Sequence, residues 1–457
     1  VSRLIVVSNR VALPKQSGAG GLAVAMRAAL TERGGLWFGW SGQLIDEPTG
    51  ARGVHRQAAG RVDYALLDLN AADYQSFYLG FANRTLWPLL HYRPSLVDYS
   101  RADFAGYQRV NREFAVQVAR LARADDTIWI HDYHLIPLGA ELRSLGVSAK
   151  IGFFLHVPLP PRELLAMLPH HEKLFSTLSA YDLVGLQTRE NLDAFLSYFA
   201  AEMHATTTSE GEVRLPNGRT FRAGAFPIGI DAERVASQAA QAANTAASRR
   251  LVTSLEGRRL AIGVDRLDYS KGLTQRFEAF GRFLAKHASW RSRISYLQIA
   301  PPSREDVPEY RELRSQLERM AGATNGRYAE PDWVPIRYVN RSFNQSTLMG
   351  FYRAADIGLV TPLRDGMNLV AKEYIASQSA DDPGVLILSS FAGAAGELRE
   401  AIIINPHDQD DIVESIETAL AMPLEERRAR WSAMFDHLKR YDITAWRNDF
   451  LDALAKA

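Results

Sequence analysis

A chain of 457 residues with 47% hydrophobic and 23% charged content is too long for one comfortable core and is expected to form two domains. Its 53 basic and 52 acidic residues nearly cancel, which excludes a bulk positive field for nucleic acid or anionic lipid and leaves anions to be held by local charges. The absence of cysteine removes disulfides, thiolate nucleophiles and zinc–thiolate sites. No apolar run reaches membrane-spanning length, and Val1-Ser2-Arg3 leads straight into a strand-like run without leader features. A soluble, cytoplasmic protein with no nucleic-acid or membrane partner is therefore expected.

In chain order, β-rich runs alternate with helical periodicity: Leu4 to Val7, Thr127 to Ile130, Ile151 to Leu155, Leu260 to Val264, Ile294 to Ile299, Ile357 to Thr361 and Val385 to Leu388. That alternation predicts parallel sheets with crossover helices, an α/β fold. Leu135, Leu138, Leu142 and Leu145 share a helical face that Gly146 ends, and Leu273, Phe277, Phe280 and Leu284 share another. Ile228-Gly-Ile230 and the alanine-rich stretch Val235 to Ala247 suggest an exposed helix near a domain boundary at about residue 231. In the tail, Trp431, Met434, Phe435 and Leu438, then Trp446, Phe450 and Leu454, fall at helical spacing and read as core-facing.

Ligands of open parallel sheets bind outside the carboxyl ends of the strands. Four loops there carry chemistry. In Thr361-Pro-Leu-Arg-Asp-Gly-Met-Asn-Leu-Val-Ala-Lys-Glu373, Gly366 is expected to turn the chain and the amides from Met367 to Val370 to face an anion at a helix N-terminus. Glu373 suits ribose hydroxyls and Asp365 sugar hydroxyls; the alternative is that Asp365 only caps the helix and Glu373 is solvated. In Val264-Asp-Arg-Leu-Asp-Tyr-Ser-Lys-Gly272, Arg266 and Lys271 could neutralise a departing diphosphate; the alternative pairs Arg266 with Asp265 or Asp268. In His131-Asp-Tyr-His-Leu135, Asp132 suits hydroxyls or base chemistry, and His156 after the next strand suits a sugar hydrogen bond. A His-x-x-His metal pair is disfavoured because a loop lacks a fixed helical face, and backbone-satisfied core histidines are the alternative. Ser8-Asn-Arg10 offers an anion clamp, and Gly18-Ala-Gly-Gly-Leu-Ala23 matches a dinucleotide fingerprint by letter but lies too far from its strand. Asp408-Gln-Asp410 reads as a solvated loop.

Together with Gly35-Leu-Trp-Phe-Gly-Trp-Ser-Gly42 and Leu86-Trp-Pro88, these loops closely resemble the bacterial trehalose-6-phosphate synthases, retaining glycosyltransferases of the two-Rossmann-domain GT-B fold, over nearly the whole chain. The resemblance implies glucosyl transfer from a nucleotide sugar, UDP-glucose first among UDP-, GDP- and ADP-glucose, to glucose 6-phosphate, with no metal or cofactor. It implies an acceptor site of Arg10, Tyr78, Trp87, Asp132 and Arg304. It implies a donor site of Gly20, Gly21, His156, Arg266, Lys271, Phe343, Asp365, Gly366, Met367, Asn368, Leu369, Val370, Ala371, Lys372 and Glu373. Arg266, Lys271, Asp132, His156 and Asp365 are the implied catalytic set. The expected domains are an acceptor domain of residues 1–231 completed by a helix at 441–457, and a donor domain of 232–440, facing a cleft, in a homo-oligomer (dimer or tetramer). A validamycin-type pseudo-glycosyltransferase shares the fold, and an NAD-dependent dehydrogenase would also explain paired Rossmann-like halves.

Overall fold

The computed structural model describes residues 2–13, 26–27, 29–32, 34–304 and 306–457. By contacts the chain divides into two units, Val1–Ile228 with Trp446–Ala457, and Gly229–Ala445. Each apolar run read as a strand is one.

Among the described residues, the first unit holds strands β1 (Leu4–Arg10), β2 (Gly35–Ile45), β3 (Val54–Ala59), β4 (Val62–Asn70), β5 (Thr127–His131), β6 (Lys150–Phe154), β7 (Leu183–Leu186), β8 (Thr206–Thr207), β9 (Glu212–Arg214) and β10 (Thr220–Ala225). They form one sheet in the order β3-β4-β2-β1-β5-β6-β7-β10-β9-β8. The centre, from β4 to β7 and on to β10, is parallel, and antiparallel pairing is confined to its two ends. Strand order reverses between β1 and β5, so Arg10 and Asp132 emerge on either side of the switch point, where a parallel sheet leaves a crevice.

The helix Ile443–Lys456 buries Trp446, Phe450 and Leu454. Its Trp446 and Phe450 rings lie 5.1 and 4.8 Å from that of Trp129 in β5. This approach depends on Gly152 of β6, where an added Cβ would lie 2.8 Å from Leu454 and 2.9 Å from Phe450.

The second unit holds β11 (Arg259–Val264), β12 (Ile294–Ile299), β13 (Ile336–Val339), β14 (Ile357–Val360), β15 (Val385–Ser389) and β16 (Ile402–Ile404). All pair in parallel in the order β13-β12-β11-β14-β15-β16, the Rossmann order, with its switch point between β11 and β14. Leu273, Phe277, Phe280 and Leu284 are all buried against this sheet, as their spacing predicted. In the first unit Gly146 is left-handed at φ 82°, but Leu145 is exposed, one residue past the end of the helix Leu138–Ser144.

The alanine-rich stretch is not one exposed helix. It is two, Ala232–Ala242 and Ala246–Leu255, divided where Thr245 caps the second by accepting from Ser248 N at 3.4 Å. Val235, Ala239 and Ala242 are buried, and the first of the two helices packs on the helices Gln345–Ala354 and Leu369–Ser377. Small side chains permit that closeness: a Cβ on Gly350 would lie 3.0 Å from Ala242 O. Asp408 is exposed, as a solvated loop residue should be, and it also caps the helix Gln409–Ala421, accepting from Asp410 N at 3.0 Å and Asp411 N at 3.2 Å. Among the described residues no helix is long and apolar enough to cross a membrane.

The Gly152→Val substitution is expected to lose about 1–3 kcal/mol by overpacking against the last helix. Chemical denaturation followed by Trp fluorescence measures it, and an unchanged midpoint would show that the glycine is not required there.

Candidate functional site

In the first unit an aromatic run joins four of the expected residues. The Arg10 guanidinium lies 5.5 Å from the Trp40 ring centre, and Trp40 contacts Tyr78 at 5.9 Å. Gly42, left-handed at φ 91°, makes room for Arg10, since a Cβ there would be 2.5 Å from Nη2. Tyr78 stacks on Tyr74 at 5.4 Å and on His134 at 5.8 Å with planes 10° apart. His134 meets Tyr133, which meets Trp87 at 5.6 Å. Asp132, immediately before Tyr133, holds φ 77°, a left-handed value uncommon for a non-glycine residue and frequent where a site imposes geometry. Tyr78 projects from a π-helix, Tyr74–Leu86, whose widened turns are a recurrent mark of functional segments.

The two histidines of the His-x-x-His spacing part company. His131 is fully buried, with Nδ1 3.1 Å from His156 Nε2, while His134 stacks on Tyr78. The other nitrogen of His156, Nδ1, is 3.3 Å from Gln187 Nε2, so neither ring nitrogen is left for the sugar hydrogen bond expected of it. Burial holds the His156 imidazole down to about 3 and pushes His131 well below the usual range.

In the second unit the two loops at the switch point meet. Lys271 Nζ lies 2.5 Å from Asp365 Oδ2, and Asn368 Nδ2 donates to the same oxygen at 3.0 Å. Leu363 N donates to Ser270 O at 2.8 Å. Gly272, at φ 66°, brings the first loop so near the second that a Cβ would lie 2.0 Å from Thr361 O. The left-handed residue of the second loop is Asn368 at φ 79°, where the sequence reading put the turn on Gly366. Asn368 also caps the helix Leu369–Ser377 by accepting from Ala371 N at 3.2 Å. Among the described residues nothing accepts from the amides of Leu369 and Val370, leaving two donors at the positive end of the helix.

Both aspartates offered as alternative partners of Arg266 are engaged by other arginines. Asp265 binds Arg276 at 2.8 Å and Asp268 binds Arg304 at 3.0 Å, whereas Arg266 is exposed. Arg304 is itself left-handed at φ 49°, its Nη1 donating to Tyr310 OH at 2.6 Å. It belongs to the second unit, while Arg10, Tyr78, Trp87 and Asp132 belong to the first. Phe343 packs edge-on to Phe351 at 5.4 Å under the Arg341 guanidinium. Met367 is buried, and its carbonyl accepts from Ala394 N at 2.9 Å. Lys372 points into the protein: it is fully buried and pairs with Glu397 at 2.7 Å, which His437 also meets at 3.2 Å. Gly20 and Gly21, with the whole fingerprint Gly18 to Ala23, lie outside the described residues.

Sequence reasoning missed Arg276. Its guanidinium binds Asp265, Gln298 Oε1 at 2.9 Å, Thr361 Oγ1 at 3.0 Å and Lys271 O at 3.3 Å. The available signal was a charged residue on the otherwise apolar Leu273–Phe277–Phe280 face. Gln187 was missed because β7, which ends just before it, is only four residues long.

Two α/β units, the second in Rossmann strand order and each with its polar side chains gathered at a topological switch point, define a glycosyltransferase of the GT-B class. The model of glycosyltransferase family 20 matches residues 4–456. A trehalose-6-phosphate synthase of Sinorhizobium fredii is 49% identical over 99% of this chain and 98% of its own length. A UDP-forming α,α-trehalose-phosphate synthase of Burkholderia xenovorans, crystallised with glucose 6-phosphate, superposes with a TM-score of 0.96 at 46% identity, covering 99% of this chain and 100% of that one. An E. coli structure bound with UDP-2-fluoro glucose superposes at 0.94 with 44% identity, covering 100% and 99%. The chain belongs to glycosyltransferase family 20.

Burial pushes the Glu373 carboxyl up to about 7, with Arg234 drawing it partly back. Because this lies above the ordinary glutamate value of about 4.3, the unfolded chain ionises first, and the stability held at low pH is lost as pH rises towards 7. Glu373→Gln is expected to abolish a fall of about 1–3 kcal/mol between about pH 4.5 and 8. Urea unfolding of both proteins across that range checks it; parallel pH curves would show that Glu373 is not the group responsible.

Proposed function

We propose that the chain transfers glucose from UDP-glucose to glucose 6-phosphate, releasing UDP and forming α,α-trehalose 6-phosphate with retention at the donor carbon. The observation that carries this reading is the end-to-end match to UDP-forming trehalose-phosphate synthases, one of them crystallised with glucose 6-phosphate, and to an E. coli structure bound with UDP-2-fluoro glucose. In this reading the first unit carries the acceptor residues Arg10, Tyr78, Trp87 and Asp132, joined by Arg304 of the second. Arg10 and Arg304 take the sugar phosphate by charge-assisted hydrogen bonds, and the aromatic run bounds the sugar. The second unit carries the donor residues, joined by His156 of the first. Arg266, Lys271 and the amides of Leu369 and Val370 take the diphosphate, and the Glu373 carboxylate takes the ribose hydroxyls. The same reading makes the protein a cytoplasmic homo-oligomer that needs no metal.

Same-face attack fits these residues best. Asp365 Oδ2 accepts from both Lys271 and Asn368, which lowers its nucleophilicity. The bond from the glucosyl carbon to the diphosphate breaks with its electron pair passing to the phosphate oxygen. That oxygen takes the proton of the acceptor hydroxyl as the new carbon–oxygen bond forms. Cations aimed at the departing phosphate supply the main electrostatic stabilisation.

Incubation with glucose 6-phosphate and, separately, UDP-, GDP- and ADP-glucose tests the reading. UDP release dependent on the acceptor is expected, and no nucleotide release from any donor would sink it. Arg266→Ala should lower kcat by about 100-fold or more, as loss of an oxyanion-stabilising donor does. Its thermal unfolding should be unchanged, because the side chain is exposed. Turnover near wild type would remove Arg266 from the leaving-group role.

A further inference from the structure

A chain of hydrogen bonds in the first unit has only one consistent set of proton positions. It begins at the backbone N–H of Ile228, which can only donate, and which lies 3.1 Å from Gln187 Oε1. That contact fixes the Gln187 amide, because turning it over would set two donors against each other. Gln187 Nε2 must then donate, and its partner at 3.3 Å is His156 Nδ1. A neutral imidazole has one donor and one acceptor, so the His156 proton sits on Nε2. There it donates to His131 Nδ1 at 3.1 Å, which leaves the His131 proton on Nε2, a buried nitrogen with no hydrogen-bond partner among the described residues.

The alternatives fail on the same geometry. An imidazolium at His156 would set a second donor against the Gln187 amide. Burial also opposes a charge on either ring, driving His156 down to about 3 and His131 well below its usual value. The groups facing His156 offer little to oppose this. Asp132 accepts from its backbone N–H, and its ring is flanked by Phe154 at 4.6 Å and Trp446 at 6.1 Å.

We propose that Gln187 is a positioning residue for the transfer reaction: acting through the Gln187–His156–His131 chain, it locks the His156 imidazole as the neutral Nε2–H tautomer with both nitrogens engaged by protein. The inference rests on the reading of His156 as part of the donor-binding set. It gives that residue a definite part, a fixed neutral wall beside the sugar that exchanges no proton with it. His156 then does not take the acceptor's proton, which passes to the leaving phosphate in the same-face reaction. Gln187 itself touches no reacting atom in this scheme.

Gln187→Glu tests it in the intact enzyme. While ionised, the carboxylate still accepts from Ile228 N–H but cannot donate to His156, so Nδ1 of His156 then acquires a proton, by tautomer reversal or by charging. Aromatic 13C spectra of histidine-labelled protein, with His131 and His156 assigned by signal loss on substitution, read this directly. In the wild type both rings should be neutral Nε2–H and should not titrate between about pH 5.5 and 8, unlike an ordinary histidine. In Gln187→Glu the His156 signal should move to the Nδ1–H or charged form. The variant's kcat for UDP release should fall about ten-fold or more, as small displacements of a positioned group do, with the KM for glucose 6-phosphate nearly unchanged. Its kcat–pH profile should gain an ionisation that the wild type lacks. A wild-type His156 that titrates in this range or carries Nδ1–H overturns the proposal, whether or not the variant folds. So does a variant whose tautomer changes while kcat and its pH profile stay as in the wild type. Failure of the wild type to release UDP would instead strike the functional reading, and the spectra separate the two.

Discussion

A fully buried arginine holds the carboxyl edge of the second sheet together. Arg276 has no water to turn to, so its guanidinium must be satisfied by protein, and its partners come from the ends of β11 and β14, from β12 and from the loop that carries Lys271. Gly263 leaves the room, since a Cβ there would lie 2.3 Å from Nη1. Removing one member of such a buried set strands a charge, at about 3–5 kcal/mol, so the strand ends are tied to one another in register. The loops that leave them inherit that register, and Lys271 can meet Asp365 only because it is kept.

The supporting layer continues behind the helix Leu369–Ser377. Lys372 lies within the conspicuous motif of that helix, yet it points inward to Glu397, and His437 closes the group. Burial draws the Lys372 ammonium down while Glu397 raises it, and the pair anchors the helix Leu369–Ser377 from behind. A motif residue can therefore serve a site by fixing its backbone without facing the ligand. Gln187 stands in the same relation to His156 in the first unit, with neutral hydrogen bonds in place of charges.

Much of this was legible in the sequence. Parallel strands announce themselves as apolar runs because both faces are covered, and their carboxyl ends are where polar residues must collect. Arg10, Asp132, Arg266, Lys271 and Asp365 were singled out by that rule, and all five lie at or just beyond such strand ends. Short or half-exposed strands such as β7 and β3 gave no such signal. The alanine-rich stretch misled because alanine fits an exposed helix and a tight helix contact equally well. Asn368 was overshadowed by Gly366, although asparagine also tolerates a left-handed backbone.

The apolar periodicities determined the α/β fold class, because it depends on local spacing, and the order of motifs along the chain carried the family resemblance from which the ligands were inferred. Which side chains face one another was decided only in three dimensions. Asp265 takes Arg276 rather than Arg266, Lys372 takes Glu397, and His156 takes His131 and Gln187. Each of these choices follows from burial: a polar group that leaves water is stabilised by a partner at hydrogen-bonding distance. The nearest partner in space lay 11 to 31 residues away along the chain.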